Sequence, residues 1–216
     1  MFRARQRECH WTVDGLRDVE ARIAAEFERA KIRGPVHLSY GNEAPLIDLF
    51  QYVHQDDWVF STWRNHYHAL LHGVPEAYLM DRVRKGHSID FQAPEHRFYT
   101  SAIVAGVVPI AVGTALGLKW NGANRMVWCF IGDMTAESGT FYEALKYSAR
   151  NELPIHFVTE DNGLSTNTPT QAAWGTKHQG AVRLGVDPWI YGKYLTYYQY
   201  ERAKYPHQGV GKWISF

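Results

Sequence analysis

Two uninterrupted apolar runs constrain this chain more than any other feature. Residues 126–131 read MVWCFI and residues 154–159 read PIHFVT, with an amphipathic stretch over 136–150 between them. Continuous apolar runs of this length are typical of strands that are buried on both faces. A strand, a helix and a second strand in this order predict a right-handed βαβ unit within a parallel sheet. The predicted fold class is therefore α/β, a parallel sheet with helices on both faces.

The other segments predict mainly helices. Apolar spacing and boundary residues predict helices over 14–31, from about 42 onward, over 75–84 and over 109–120. Residues 58–60 are expected to be extended, and the polar stretch over 85–97 predicts a mobile loop. Without repeats or a linker, the whole chain over 1–216 is expected to form one domain, with an N-terminal helical extension and a short aromatic C-terminal tail.

Composition excludes several classes of protein. The 216 residues include 23 Lys and Arg against 22 Asp and Glu, a net charge of +1 that gives no nucleic-acid-binding signature. Two cysteines are too few for a disulfide framework. The N-terminal residues show no apolar core of a signal peptide, and Pro109 interrupts the uncharged stretch over 102–118, which favours a core helix over a membrane span. We therefore expect a cytoplasmic protein that binds neither nucleic acid nor membrane.

Polar residues follow both predicted strands at the point where each strand ends. Gly132 and Asp133 come after the first apolar run, and Asp161, Asn162 and Gly163 come after the second. Adjacent parallel strands lie about 4.8 Å apart, so the side chains of Asp133 and Asn162 can share one ion. Their oxygens suit Mg²⁺, and a helix that begins at the same edge favours a diphosphate. Such residues also commonly form turns and caps, so their spacing alone leaves both interpretations open.

Four ordered segments resemble the α-subunits of 2-oxo-acid dehydrogenase E1 enzymes, which use thiamine diphosphate. The segment over 131–169 begins IGDMTAES, continues to EDNGLSTNTP, and resembles the family's cofactor motif from Gly-Asp-Gly to Asn-Asn. Three earlier segments resemble other parts of the family. The first, KIRGPVHLSYGNEA, resembles the segment with an active-site histidine, and the second, DWVFSTWRNHYHALLHGV, resembles the Tyr-Arg segment. The third, SAIVAGVVPIAVGTALGLKWNG, resembles the loop and helix beneath the cofactor. The resemblance implies a thiamine diphosphate-binding fold whose diphosphate-binding domain is this chain.

The resemblance also implies roles for the residues that match the cofactor motif. Asp133 and Asn162 match the ligands of Mg²⁺, with the backbone carbonyl of Leu164 as a third ligand. Gly132 and Thr135 lie in the same motif and match positions beside the bound cofactor. The implied cofactors are therefore thiamine diphosphate and Mg²⁺.

Further implied site residues lie outside that motif. Arg64 matches an arginine that contacts the diphosphate, and Trp63 stands where the family has a tyrosine. Ile103 and Val104 match apolar residues that hold the cofactor in a bent conformation. His37 matches a histidine that faces the substrate, as a proton donor or as a stabiliser of an oxyanion.

The sequence departs from the family pattern at a few positions. Met134 stands in place of the motif's second glycine, and Asp161 replaces the first asparagine of the closing pair. The C-terminal tail, LTYYQYERAKYPHQGVGKWISF, is shorter than the family's helix, strand and loop rich in histidine and serine. Within this tail His207 is the candidate for a catalytic histidine of that loop, and the tyrosines are expected to lie in the core or at an interface.

The resemblance implies one chain of a two-chain enzyme. In the family, a β-type subunit supplies the glutamate that activates the cofactor's pyrimidine ring, so we expect a β-type partner and an α₂β₂ assembly. The apolar residues around Val107 and Val108 are expected to face that partner. The expected activity is E1-like decarboxylation and dehydrogenation of a 2-oxo acid. The alternatives are a split transketolase- or acyloin-type subunit, which forms or cleaves carbon–carbon bonds next to a carbonyl, and a non-catalytic assembly subunit.

Several other residues admit both a structural and a functional interpretation. His66 lies close behind Arg64, and the sequence leaves open whether it lines the site. His68 and His72 are four residues apart, but a structural role is favoured over a metal pair. His156 is expected to be a hydrogen-bonded core histidine.

Overall fold

The computed structural model describes residues 8–166, 168–175 and 192–202. The helices of the first half are α1 (Val13–Glu28), α2 (Glu43–Phe50), α3 (His66–His72) and α4 (Glu76–Arg84), followed by a 3₁₀ turn over Pro94–His96. The later helices are α5 (Val107–Trp120), α6 (Asp133–Ala136), α7 (Gly139–Arg150) and α8 (Thr170–Trp174). The strands are β1 (Trp58–Ser61), β2 (Gln92–Ala93), β3 (Phe98–Thr100), β4 (Val127–Gly132), β5 (Ile155–Asp161), β6 (Leu164–Ser165), β7 (Thr168–Pro169) and β8 (Leu195–Gln199).

Within the described ranges, six strands form one mostly parallel sheet in the order β2-β3-β1-β4-β5-β8. Only the pairing of β2 with β3 is antiparallel, whereas β1, β3, β4, β5 and β8 run in the same direction. Strands β6 and β7 form a separate antiparallel pair. The central pair, β4 and β5, is joined through α6 and α7, which confirms the predicted βαβ unit and the α/β class.

Alternate residues of β4 enter two different hydrophobic cores. Trp128 and Phe130 pack against the helices α1 to α4 on one face of the sheet. Cys129 and Ile131 pack against α5 and α7 on the other face. Because side chains of a strand point to opposite faces in turn, a strand covered on both faces has to be apolar at every position. This is the physical reason for the uninterrupted apolar run over 126–131.

The predicted helices are confirmed with one change in detail. Helix α1 presents Leu16, Val19 and Ile23 to the core as the spacing predicts. The stretch over 136–150, in contrast, is not one helix that begins near Ala136. The short helix α6 ends at that residue, and α7 begins at Gly139 after Ser138, whose hydroxyl accepts a hydrogen bond from the backbone N–H of Phe141.

The segment over 85–97 differs from the predicted polar loop. Residues Ser88, Phe91 and Ala93 within it are fully buried. Phe91 stacks on Phe98 of the neighbouring strand, with ring centroids 5.3 Å apart, and its carbonyl accepts a hydrogen bond from the Thr100 hydroxyl. The polar composition of the segment concealed these few apolar anchors, which attach the segment to the edge of the sheet.

Helix α5 also differs from the prediction in the face that it buries. Val107 and Val108, which were expected to face a partner, lie at 1% and 0% exposure in the core of this chain. The exposed apolar residues of the helix are Ile110, at 42%, and Trp120, at 78%. No helix within the described residues is both long enough and apolar enough to cross a membrane.

Candidate active site

The carboxyl ends of the parallel strands border a recess. Residues directly after β1, β4, β5 and β8 border it, and Val104 reaches it from the loop after β3. In open α/β sheets ligands bind outside the carboxyl ends of the strands. The order of the strands therefore places the recess where a ligand site is expected.

Eight of the eleven predicted site residues line this recess: Trp63, Arg64, Val104, Gly132, Asp133, Thr135, Asn162 and Leu164. Five residues that were not predicted complete the lining: Thr62, Met134, Glu160, Ser165 and Tyr200. The pairing of Gly132 with Glu160 across β4 and β5 brings Asp133 and Asn162, which follow soon after, to the same edge of the sheet. The two apolar runs indicated β4 and β5, and the parallel pairing of these strands brings the residues together.

Oxygen atoms dominate the part of the recess formed by β4 and β5. Asp133 is 2% exposed, and one of its carboxylate oxygens accepts a hydrogen bond from the Thr170 hydroxyl. The Oδ1 atom of Asn162 accepts a hydrogen bond from the backbone N–H of Leu164, 3.3 Å away, in a turn that Gly163 closes with a φ of +74°. A buried carboxylate beside an amide oxygen is a donor set that fits a hard divalent cation.

The described residues contain no group of three or more His, Cys, Asp or Glu side chains that could hold a metal ion. The recess instead offers oxygen donors, among them the carboxylate of Asp133 and the amide of Asn162. This is the set that a cation takes when phosphate oxygens supply the remaining ligands.

Charges of both signs line the recess. Arg64 enters from the segment after β1, and its Nε atom donates to the carbonyl of Leu38 at 3.0 Å. Glu160 has a side chain of the opposite charge to Arg64. It is 9% exposed, and its Oε2 atom lies 3.2 Å from the Nε2 atom of His68. Burial acts to raise the pKa of Glu160, but the charge of His68 and hydrogen bonds, including one from the Tyr198 phenol, hold that pKa below its usual value. The recess thus contains a carboxylate besides Asp133.

Tyr200, the residue directly after β8, lines the recess. Its backbone N–H donates to the carbonyl of Asp161 at 2.9 Å, and its phenol oxygen accepts a hydrogen bond from the Nδ2 atom of Asn162 at 2.7 Å. Burial raises the pKa of the Tyr200 phenol, so the group stays protonated at neutral pH. The tyrosines of the tail were expected only in the core or at an interface. The β-branched and aromatic residues Thr196, Tyr197 and Tyr198 were the available signal for β8.

Two of the other three predicted residues lie within the described part of the chain and do not line the recess. The side chain of Ile103 is 72% exposed beside it, whereas the neighbouring Val104 is part of the lining. The ring of His37 packs beside that of Trp63, with centroids 5.9 Å apart. His207 lies outside the described residues. The roles that the resemblance implies for these three residues stay predictions.

His66 is a buried structural residue and does not border the recess. Its ring is fully buried, with Nδ1 3.1 Å from a carboxylate oxygen of Glu20 and Nε2 2.9 Å from the Ser88 hydroxyl. Both oxygens of Glu20 also accept from the backbone N–H of Ser39, at 3.0 and 2.9 Å. The Glu20–His66 pair therefore anchors the segment that carries His37. Sequence could not reveal this pair, because its two members lie 46 positions apart on different helices.

Three more of the histidines considered in the sequence analysis make contacts within the fold. His68 lies 2.8 Å from the Ser61 hydroxyl and packs on the ring of Phe130. His72, also buried, packs on Phe50. His156 makes hydrogen bonds with the carbonyl of Lys193 and the hydroxyl of Thr196, as expected of a satisfied core histidine.

The comparisons with known proteins agree with this geometry. The family model described as dehydrogenase E1 component matches residues 12–186. The α-subunit of the pyruvate dehydrogenase E1 component from Porphyra purpurea is 34% identical over 163 residues, which cover 68% of this chain and 47% of that protein. The α-subunit of acetoin:2,6-dichlorophenolindophenol oxidoreductase from Cupriavidus necator is 31% identical over 163 residues, 71% of this chain and 49% of that protein.

The chain thus spans about half the length of the curated relatives it matches. The match to the family model, in contrast, extends over most of the chain and includes every described element from α1 to α8. It also includes all the residues of the recess except Tyr200. The chain therefore belongs to the dehydrogenase E1 component family, which implies thiamine diphosphate as its cofactor.

Proposed function

We propose that this chain is the α-type, diphosphate-binding subunit of a two-chain enzyme that acts on a 2-oxo acid with thiamine diphosphate and Mg²⁺. One observation carries the proposal: Asp133, Asn162 and Arg64 line the same recess at the carboxyl ends of neighbouring parallel strands. These three side chains are the cation donors and the phosphate-binding group that such a cofactor needs.

The charges of the recess support a cation as part of the site. Asp133 and Glu160 are both carboxylates in the lining, and Arg64 is the guanidinium there. A diphosphate placed beside two carboxylates is repelled unless a divalent cation lies between the anions. Asp133, Asn162 and the carbonyl of Leu164 would hold Mg²⁺, and Arg64 would contact the phosphate oxygens as a bidentate donor.

The residues of this chain then have separable tasks. Bound thiamine diphosphate supplies a nucleophilic carbon that adds to the carbonyl group of a substrate. Val104 would contact the cofactor between its two rings, and Thr135 and Gly132 would border its diphosphate. His37 lies on the segment that Glu20 anchors. Its side chain would donate a hydrogen bond or a proton to the oxygen of the reacting carbonyl.

An exposed apolar surface supports a partner subunit. Ile103, Val104, Ile110 and Trp120 are between 42% and 78% exposed, in the loop before α5 and along that helix. Exposed apolar patches of this kind mark interaction sites. The relatives are α-subunits by name, and we infer a β-type partner that covers this surface, supplies the pyrimidine-activating glutamate and completes an α₂β₂ assembly. A cytoplasmic location is part of the same proposal.

Cleavage of acyloins is the second candidate, because acetoin oxidoreductase subunits from Cupriavidus necator and Bacillus subtilis are 31% and 30% identical to this chain. Co-purified with its β-type partner, thiamine diphosphate and Mg²⁺, the chain should reduce 2,6-dichlorophenolindophenol when pyruvate is added. Reduction with acetoin but not with pyruvate would establish the acyloin alternative. Dye reduction with neither compound, by an assembly that binds the cofactor, would refute both candidates.

A further inference from the structure

Tyr200 lies beyond the family match and nevertheless belongs to the recess. The match ends at residue 186, whereas β8 begins at Leu195. Strand β8 pairs in parallel with β5, so that Gln199 lies opposite Asp161. This register places the residue after β8 beside the residue after β5, and the phenol of Tyr200 therefore meets the side chain of Asn162.

Two hydrogen bonds determine the orientation of the Asn162 side-chain amide. The Nδ2 atom donates to the Tyr200 phenol oxygen at 2.7 Å, and the Oδ1 atom accepts from the backbone N–H of Leu164 at 3.3 Å. An amide oxygen has two lone pairs, so Oδ1 keeps one for a cation, whereas an amide NH₂ group has none to offer. Turning the amide over would replace a cation ligand with two N–H donors.

The ring of Tyr200 is itself held by its surroundings. Its centroid lies 6.1 Å from that of Tyr198, whose phenol donates to Glu160. Gly41 approaches the carbonyl of Glu201 so closely that a Cβ atom at that position would collide with it. Tyr200 is therefore a fixed hydrogen-bond acceptor, as is required of a group that orients a neighbour.

We propose that Tyr200 is a positioning residue of the cation site, which holds the Asn162 amide with its oxygen available to Mg²⁺. The proposal rests on the proposed function, since it assigns Asn162 as a cation ligand. Thr170 has the equivalent contact with the other side-chain ligand, because its hydroxyl donates to Asp133. Groups that orient metal ligands in this way commonly change metal affinity by about 10- to 100-fold when they are removed.

The test is a titration of the assembled enzyme with Mn²⁺ at saturating thiamine diphosphate, in which electron paramagnetic resonance measures free Mn²⁺. Tyr200→Phe keeps the ring and removes the acceptor, and we expect Mn²⁺ affinity to fall about tenfold. Tyr194→Phe is the matched control, because it removes a phenol hydroxyl from the residue just before β8. The ring of Tyr194 packs in the core beside α5 and α7, so this variant should leave the Mn²⁺ affinity unchanged.

A second variant separates orientation from general loss of structure. Asn162→Asp has two equivalent oxygens, so the direction of the side chain no longer matters. Adding Tyr200→Phe to Asn162→Asp should then cause no further loss of Mn²⁺ affinity, and this non-additivity is the signature of positioning. Equal losses in both backgrounds, or an unchanged affinity of Tyr200→Phe, would overturn the proposal while leaving the proposed function in place. Absence of cofactor-dependent Mn²⁺ binding in the unaltered enzyme would instead refute the proposed function.

Discussion

The two faces of the sheet are built on different principles. The face that α1 to α4 cover contains buried polar side chains with partners inside the chain, among them Glu20, Glu43, His66 and His68. The face that α5 and α7 cover has an almost entirely apolar interior, and its exposed surface includes Ile110, Trp120 and Tyr147.

This difference indicates separate roles for the two layers. A buried polar network fixes one arrangement of its members, and on the first face it holds the segments that carry His37 and Arg64. An apolar helix surface that remains exposed is suited to being covered by another chain. The layer of α1 to α4 thus orders the site, whereas the layer of α5 and α7 is available for assembly. Substitutions in the two layers should therefore have different effects.

Glu20→Ala should have the largest effect on stability, because it removes the partner of a fully buried histidine and of the Ser39 N–H. Breaking a buried pair costs about 3 to 5 kcal/mol of unfolding free energy, which denaturant titration measures. Glu143→Ala, an exposed position on α7, is the matched control and should change this free energy by less than about 0.5 kcal/mol. A loss below about 1 kcal/mol for Glu20→Ala would show that the pair is not important for the layer.

His37→Ala should reduce turnover by about a hundredfold, the lower end for a general acid–base group, or about 2.7 kcal/mol in activation free energy. The affinity for thiamine diphosphate should hardly change, because the His37 side chain does not line the recess. Steady-state kinetics across a cofactor titration separates the two quantities, with the exposed His87→Ala as control. Rescue by excess cofactor would mean that His37 supports binding and has no part in the chemical step.

Acidification should destabilise the fold through His156. Burial lowers the pKa of this residue to about 4, below an unfolded value of about 6.5. Because the unfolded chain binds the proton first, stability is complete above about pH 6.5 and falls as the pH decreases toward 4, by about 2 kcal/mol at pH 5. Urea titrations at pH 7 and pH 5 should show this loss, and His156→Gln should reduce it. An equal pH dependence in both proteins would assign the loss to other groups.

Ile110→Ser should have the smallest effect on stability, less than about 0.5 kcal/mol, because the side chain is 42% exposed. It should nevertheless weaken association with the partner, which sedimentation velocity measures. Val108→Ser, two residues away and fully buried, should do the reverse and lower unfolding free energy by about 2 kcal/mol or more. If Ile110→Ser leaves assembly intact, α5 does not form the interface.

Sequence could predict those features that depend on local pattern. The apolar runs indicated β4 and β5, and the residues that follow them, Asp133 and Asn162, line the recess because strand register is regular. Features that depend on distant partners could not be predicted in this way. The burial of His66 requires Glu20 from α1, and the place of Tyr200 requires β8 to pair with β5. Helix α5 has apolar residues all around, so its pattern could not distinguish the buried Val108 from the exposed Ile110.

Calorimetric titration with thiamine diphosphate, in the presence and absence of Mg²⁺, tests most directly whether the recess is a cation–diphosphate site. With its partner present, the unaltered chain should bind the cofactor only when Mg²⁺ is added, and Asp133→Ala should abolish this binding because the diphosphate then faces uncompensated repulsion. Asp48→Ala, at an exposed position of α2, should bind normally. A change of less than about tenfold in affinity for Asp133→Ala, about 1.4 kcal/mol, would contradict the assignment of Asp133 as a cation ligand.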